Sequence, residues 1–362
     1  MNFSFKNKKL KIVEKFIPFI CVSLAIIIAG LVFMLVKGMN LGVEFSGGSN
    51  IQVTVNNVSE LDSSDFKTTV KNWLAGDRDG NGSKESKEYS VSSNVQTSGK
   101  STYEFRIGTT MKVDGEEIDL NTQSSESDET LLYEENAEIR EQLKEFIEDY
   151  IAKKYSLEES KFTVEVEPHV IGNDVKNYTV RNAFIAVAVA VVVILIYIAI
   201  RFTVLAGISA IFALLHDVLI MVALTTIFQI PVNSTFIAAV ITIVGYSINA
   251  TIVVFDRVRE LQALPSNLTK TDKEIANEAI AGTLSRSILT TITTLVMIVI
   301  LAIFGSAIIR EFAYPIVFGL IAGLYSSAFL SASFWVSLRK LFGQENKKPT
   351  KKSRKVREQV EA

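Results

Sequence analysis

The residues in this sequence whose types and spacing suit chemistry fall into two groups. The first stands inside apolar runs. His216 and Asp217 sit in FALLHDVLI, Asn249 and Thr251 flank Ala250 in GYSINATIVVFDRVRE (245–260), and Arg286 opens a run that continues with Thr290, Thr291, Thr293 and Thr294. An ionisable side chain at a bilayer centre costs a few kcal/mol, so it faces a bundle interior or a water path. Asp217 is therefore either a structural carboxylate bonded to a neighbouring helix or part of an ion or proton path. His216 is either its titrating partner or a hydrogen-bonded packing residue. Arg286 either marks the membrane interface or serves as counter-ion to a carboxylate inside the bundle. The threonines line an internal face or satisfy backbone carbonyls, because lipid offers a hydroxyl no partner. Asp256, Arg257, Arg259 and Glu260 end the 245–260 stretch as a charge cluster. At helical spacing Asp256 shares a face with Arg259 and with Glu260.

The second group lies in a polar block. DRDGNGSKESKE (77–88) fits the calcium-loop pattern D-x-[DN]-x-[DN]-G-x5-E. Asp77, Asp79, Asn81 and Glu88 take the side-chain ligand positions, Ser83 offers its carbonyl, and Gly82 makes the sharp turn. The rival reading is an Asp/Asn/Gly-rich turn. Lys84 stands where such loops carry an apolar residue, and no helix clearly follows. The sequence shows no nucleophile triad, phosphate loop or His/Cys metal cluster, so no cofactor is required beyond that Ca²⁺. Ser46-Gly47-Gly48 is too short for a phosphate loop and reads as a turn into a strand.

The elements that must position these residues are set by hydropathy and charge. The chain has 362 residues, 48% of them hydrophobic, and a net charge of -2. Its apolar residues gather in runs of about 20, long enough to cross a bilayer. Six spans are expected at 16–37, 180–200, 205–228, 233–255, 288–306 and 314–337. The first follows Lys6, Lys8, Lys9, Lys11 and Lys15 and exceeds a signal-peptide core, so it reads as an uncleaved helix. The lone cysteine, Cys21, lies within it and has no internal disulfide partner.

Basic residues collect before the first span, at Arg201, at Arg257 and Arg259, and in the tail from Arg339 to Arg357. With six alternating spans all four places share one side, which the positive-inside rule makes the cytoplasm. The chain is then a multi-pass protein of the cell membrane with both termini cytoplasmic. The basic tail either anchors topology or contacts anionic lipid or ribosomal RNA; no nucleic-acid substrate is implied. Residues 40–178 carry 28 acids against 14 bases and fall outside.

Within that acidic block, Ser49 to Val55 alternates like a strand. Phe66, Val70, Trp73 and Leu74 are spaced as one helix face. Tyr89–Val95 and Tyr103–Val113 read as strands joined by the turn Thr97-Ser98-Gly99-Lys100. Leu132, Ile139, Leu143, Phe146 and Ile147 form a stripe on a long helix, and Phe162–Val166 closes as a strand. The order β-α-β-β-α-β is ferredoxin-like. The expected organisation is an N-terminus and first helix (1–37), an extracytoplasmic α+β ferredoxin-like domain (38–179), a five-helix membrane region (180–337) and a basic tail (338–362). Residues 272–280 are expected to form a short amphipathic helix on the membrane surface.

LGVEFSGG (41–48) resembles the GxDFxGG motif of the SecD/SecF family, with Gly42, Phe45, Gly47 and Gly48 in place and Glu44 in the aspartate position. GYSINATIVVFDRVRE resembles that family's GYSxNDTVVVFDRxRE signature. ALLHD, TLSRSILTTITT and FAYPIVFGLIAGLYSS resemble its other membrane segments. The chain is thus similar, along nearly all its length, to SecF-type subunits of the SecD/SecF family in the RND superfamily. The resemblance implies half of an RND-type bundle, completed by six spans of SecD. It implies a non-enzymatic accessory role in protein export, beside the SecYEG channel, the SecA ATPase and YidC- or YajC-type proteins. The external domain would hold the translocating polypeptide, driven by the ion gradient, and a charge crossing about 100 mV releases about 2.3 kcal/mol.

By the same resemblance, the arginine before the Thr-rich run falls on Arg286 and the family's proton-handling aspartate falls on Ala250. A methyl group carries no proton. Asp217 or Asp256 then takes the ion step, or SecD's carboxylate suffices alone, or the subunit is uncoupled. Asn249 and Thr251 still offer oxygens to Na⁺. The alternative class is an RND-type small-molecule or lipid exporter subunit, which is expected to need twelve spans and an ordered apolar pocket. A third is a membrane-anchored, Ca²⁺-dependent binding module. If the calcium loop is real, millimolar Ca²⁺ raises the melting temperature of the external domain; an unchanged melting temperature removes it.

Overall fold

The structure is a computed structural model and describes residues 11–58, 61–77, 87–91, 96–98, 102–113, 116–119, 126–171, 173–267 and 269–343. Asp79, Asn81, Ser83 and Val95 lie outside the described residues, as does the tail beyond 343. In chain order, helix α1 (Phe16–Lys37) is followed by the single turn α2 (Val43–Ser46), strand β1 (Gly48–Asn56), helix α3 (Ser63–Leu74) and strands β2 (Lys87–Val91), β3 (Gln96–Ser98), β4 (Thr102–Val113) and β5 (Glu116–Asp119). Helix α4 (Glu126–Tyr155) and strand β6 (Thr163–Ile171) complete this part. Then come α5 (Asn173–Arg201), α6 (Val204–Ile227), α7 (Ser234–Ala263), α8 (Asp272–Phe304), α9 (Ala307–Tyr325), a π-helical stretch (Ser326–Ser331) and α10 (Ala332–Leu341).

The sheet has the order β2-β4-β1-β6 with antiparallel pairing throughout, and β3 and β5 add to β4. With α3 and α4 as the two crossovers, this is the ferredoxin-like arrangement. Thr97 and Ser98 belong to strand β3 rather than to a turn, and pair with Tyr103 and Thr102. Alternate residues of the strands face the helices: Ile51, Val53 and Val55 of β1, Tyr103, Phe105 and Ile107 of β4, and Val164 and Val166 of β6. They meet Phe66, Val70, Trp73 and Leu74 of α3 and the four-spaced stripe Ile139, Leu143, Ile147 and Ile151 of α4. Leu132 is in α4, but its side chain lies outside the described residues. Fully burying one such side chain stabilises by roughly 1.5–3 kcal/mol. Asp62 starts α3 by accepting from the Ser64 and Asp65 amides. Asp65 in turn joins α3 to Lys154 and Tyr150 of α4, and the Lys154 ammonium holds its carboxyl below the usual carboxylate range.

Among the described residues, six helical segments are long and apolar enough to cross a membrane. They correspond to the six expected spans, with one correction. Residues 272–280 are not a separate surface helix. They are the first turns of α8, started by a Thr271–Glu274 capping box and continuous to Phe304. Ile275, Ala276, Ala279 and Ile280 pack against Val254, Val258, Leu261, Trp335 and Val336. The charges that suggested an interface pair locally, Lys270 with Glu278 at 2.5 Å and Asp272 with Arg339 at 2.9 Å.

Small residues set the spacing of the central helices. A Cβ added at Gly30 of α1 would lie 2.4 Å from the Ala223 Cβ of α6, and one at Gly319 of α9 would lie 2.5 Å from Ile243 Cγ1 of α7. Gly319 and Gly323, four residues apart, form the small-xxx-small pattern that lets membrane helices approach. Gly319→Leu is expected to lower the melting temperature of the purified chain by several degrees, whereas Gly245→Ala, which faces open space, leaves it unchanged; thermal unfolding followed by circular dichroism checks both.

Candidate functional site

The site is built where α6, α7 and α9 cross. Asp217 lies near the middle of α6 and has no exposed surface. A bare carboxylate there would cost several kcal/mol, so its oxygens must be met by donors. Oδ2 accepts from the hydroxyl of Ser247 on α7 and, at 2.8 Å, from that of Ser326 at the end of α9. Oδ1 lies 2.8 Å from Nδ1 of His216. The four residues come from three segments, and each hydrogen bond to a charged group is worth roughly 1.5–3 kcal/mol. Gly323 lies against this cluster: a Cβ there would be in ordinary contact with Ser247 Cβ at 3.4 Å and Asp217 Oδ2 at 3.6 Å.

Ser326 opens the π-helical stretch, where the backbone bonds shift from four residues to five. The hydroxyls of Ser327 and Ser331 bond back to the carbonyls of Leu324 and Ser327. Such stretches are frequent at functional sites.

The other candidates are distributed unevenly around this centre. Thr251 lies one turn beyond Ser247, on the same buried face of α7, and its hydroxyl has no hydrogen-bond partner among the described residues. Asn249 is exposed, and so is Arg286 on α8. The Tyr246 hydroxyl donates to Thr291 at 3.1 Å, and Gly282 faces Arg257. This antiparallel pairing puts Ala250 level with the turn of α8 that carries Ser287 and Arg286. Asp256 is not part of the buried centre. It pairs with Arg201 at 3.0 Å and with Arg259 at 3.3 Å, more than a third of its side chain is exposed, and Arg257 pairs with Glu260.

The double-glycine segment forms the joint between the membrane helices and the sheet. Gly47 and Gly48 have φ of +77° and +110°, and a Cβ on Gly48 would lie 2.3 Å from the Ile107 carbonyl oxygen. Only glycine fits that turn. The Gly42 amide donates to the Val232 carbonyl at 2.8 Å, and Glu44 accepts from the Ser234 amide at 2.7 Å and from its hydroxyl. Phe45 packs beside the core around Phe236 and Ile243. As for the calcium loop, Asp77 follows α3 and Glu88 lies in β2, so a strand rather than a helix follows the pattern.

Sequence reasoning missed a buried ion pair at this joint. Arg106 of β4 reaches Glu311 of α9 at 3.1 Å, with both side chains less than a tenth exposed. Asn233 donates to the second oxygen of Glu311, and Asn40 accepts from Arg106 at 3.4 Å. The available signal was the adjacent charges Arg310 and Glu311 at the head of an otherwise apolar span, AIIREFAYPIVF.

The chain is similar to known protein-export membrane proteins. The family described as "Protein export membrane protein SecD/SecF, C-terminal" matches residues 152–341, and the "SecD/SecF GG Motif" matches residues 32–57. A protein translocase subunit SecF of Calditerrivibrio nitroreducens is 31% identical over 310 residues, which are 85% of this chain and 87% of that protein. A SecF of Alicyclobacillus acidocaldarius is 39% identical over 176 residues, 48% of this chain and 57% of that protein. A SecDF of Bacillus subtilis is 31% identical over 335 residues, 91% of this chain but only 38% of that protein. The crystal structure of SecDF from Thermus thermophilus superposes with a TM-score of 0.65 at 25% identity, covering 92% of this chain and 39% of that one. The matched stretches thus span 57% or less of several of these relatives. On the extent of these matches, the chain is a multi-pass membrane protein that belongs to the SecD/SecF protein-export family.

Proposed function

We propose that the chain is a SecF-type accessory subunit of the Sec protein translocase, paired with SecD in the cell membrane, and that Asp217 handles its coupling ion. It assists export of unfolded polypeptides at the expense of the transmembrane ion gradient, alongside SecYEG and SecA. The family match supports the role, and the burial of Asp217 carries the assignment of the ion step.

The partner is supported by the surface of the bundle. Asn249, Arg286, Thr290 and Thr293 are exposed on helices that cross the membrane. Lipid does not satisfy an amide and a guanidinium, so this face needs a protein. The length difference between this chain and the SecDF proteins fits a second half supplied by SecD. The basic residues of the loops support cytoplasmic termini, and the ferredoxin-like domain is then external and holds the emerging polypeptide.

Asp217 fits the ion step better than Asp256 does. Asp256 is partly exposed and neutralised by two arginines, which suits an interfacial anchor. Asp217 is fully buried and bonded to two other segments, so a change in its charge changes the contacts between helices. That differential contact is what lets an ion bias one conformation over another. Ala250 then leaves Arg286 without the carboxylate that the family places at its level.

The full chain is expected to recover SecD on co-purification, and a stable, active homo-oligomer without it would sink this reading. Export assays of Ala250→Asp offer a second check. If coupling is weakened by the missing carboxylate, the variant shows steeper dependence on the gradient. An unchanged dependence means that Asp217 already suffices.

A further inference from the structure

We propose that His216 and Asp217 act as one proton-carrying pair, with His216 Nε2 as the atom that takes up and returns the proton, and that Ser326 passes the state of the pair to α9. The inference rests on the assignment of Asp217 to the ion step and goes beyond it, by naming the ion and the route of coupling.

The neighbours of the carboxylate choose the ion. Oδ2 receives two hydroxyls and Oδ1 faces an imidazole nitrogen. Hard cations such as Na⁺ take shells of oxygen ligands, and an imidazole occupies one side of this carboxylate. Imidazole is instead the side chain suited to proton exchange near neutral pH.

The ring is bonded at only one nitrogen. Nδ1 is held by Asp217, while Nε2 is buried and has no hydrogen-bond partner among the described residues. Most buried side-chain nitrogens and oxygens have a hydrogen-bond partner, so a bare Nε2 beside a buried carboxylate is a place where a proton can be added. Among the described residues, the other titratable group facing the ring is Tyr325, whose ring stacks at 6.1 Å and whose hydroxyl is turned away to the Phe19 carbonyl at 2.8 Å. On α7 the neighbouring side chain is Ser247, which does not titrate, and Tyr246 directs its hydroxyl to Thr291 of α8.

The proton balance is simple. A proton added at Nε2 makes an imidazolium whose Nδ1–H points at Asp217. Transfer of the Nδ1 hydrogen to Oδ1 leaves a neutral carboxylic acid and a neutral ring with its hydrogen on Nε2. One N–H bond forms at uptake, and at transfer one N–H bond is exchanged for one O–H bond; the reverse steps release the proton.

Ser326 is placed to read this change. Its hydroxyl lies 2.8 Å from Asp217 Oδ2 and 3.3 Å from the Gly323 carbonyl. A hydroxyl prefers a charged acceptor, so it stays on Asp217 while the carboxylate is ionised and has Gly323 within reach once it is neutral. Ser326 starts the π-helical stretch, and the opposite end of α9 holds Arg106 of the sheet through Glu311. One helix therefore touches both the proton pair and the external domain.

The test uses vesicles that carry the full chain with its translocase, energised by a proton gradient or by a sodium gradient of matched size. The proton gradient is expected to accelerate export and the sodium gradient is not. His216→Asn keeps an N–H for Asp217 but cannot titrate, and is expected to lose most of the acceleration; Asp217→Asn loses it too. If Asp217→Asn keeps it, the assignment of Asp217 fails and this inference with it. If only His216→Asn keeps it, or if sodium accelerates export, the proton pair is overturned while the Asp217 assignment stands. A second measurement needs no variant at the site: nitrogen NMR of ring-labelled histidine in a His169→Gln full chain in lipid. The Nε2 signal of His216 is expected to change when a proton is taken up on acidification, and a signal unresponsive to pH overturns the proposal.

Discussion

A carboxylate sealed from water inside a membrane protein must be met by donors, and this requirement organises the centre of the bundle. Asp217 has no exposed surface. Its partners come from α7 and from the end of α9, besides the adjoining His216 on its own helix. The close crossings follow from the same need. Gly319 lacks the Cβ atom that would push α9 off α7, and at that separation the serines reach the carboxylate. A buried group of this kind is a weak source of stability, because desolvation offsets much of what its bonds supply. Its retention in the middle of an apolar span is more easily understood as function.

The ferredoxin-like domain is joined to this centre by backbone and by charge. Gly47 and Gly48 turn the chain from α2 into β1, with α2 held down by the bonds of Gly42 and Glu44 to the start of α7. On the other side, Arg106 and Glu311 tie β4 to α9 in a nearly dry environment. Breaking one partner of such a pair leaves an uncompensated charge and costs about 3–5 kcal/mol, so the joint is stiff. A shift of α9 at the Asp217 end therefore has a rigid path to the sheet. This is the arrangement expected of a device that turns an ion step in the membrane into movement outside it.

Much of this was legible in the sequence. The six spans and the ferredoxin-like order depend on local periodicity, which survives without tertiary information. The double glycine was readable as a turn because a residue lacking Cβ advertises an unusual backbone. The continuity of α8 was not, because Asp272, Lys273, Glu274 and Glu278 resemble a surface helix until Arg339 and Lys270 are seen beside two of them. The partners of Asp217 were hidden for a different reason. Ser247 and Ser326 are 30 and 109 residues away, and Arg106 is 205 residues from Glu311. Serine inside an apolar span has too many bland explanations for its partner to be read from composition.

The central claim is that Asp217, and not Asp256, is the carboxyl group that exchanges its proton within the membrane. Infrared difference spectroscopy between acid and alkaline forms of the full chain in lipid tests it most directly. The account predicts a protonated-carboxyl band that is absent in Asp217→Asn and retained in Asp256→Asn. A band that survives Asp217→Asn and disappears in Asp256→Asn would contradict it.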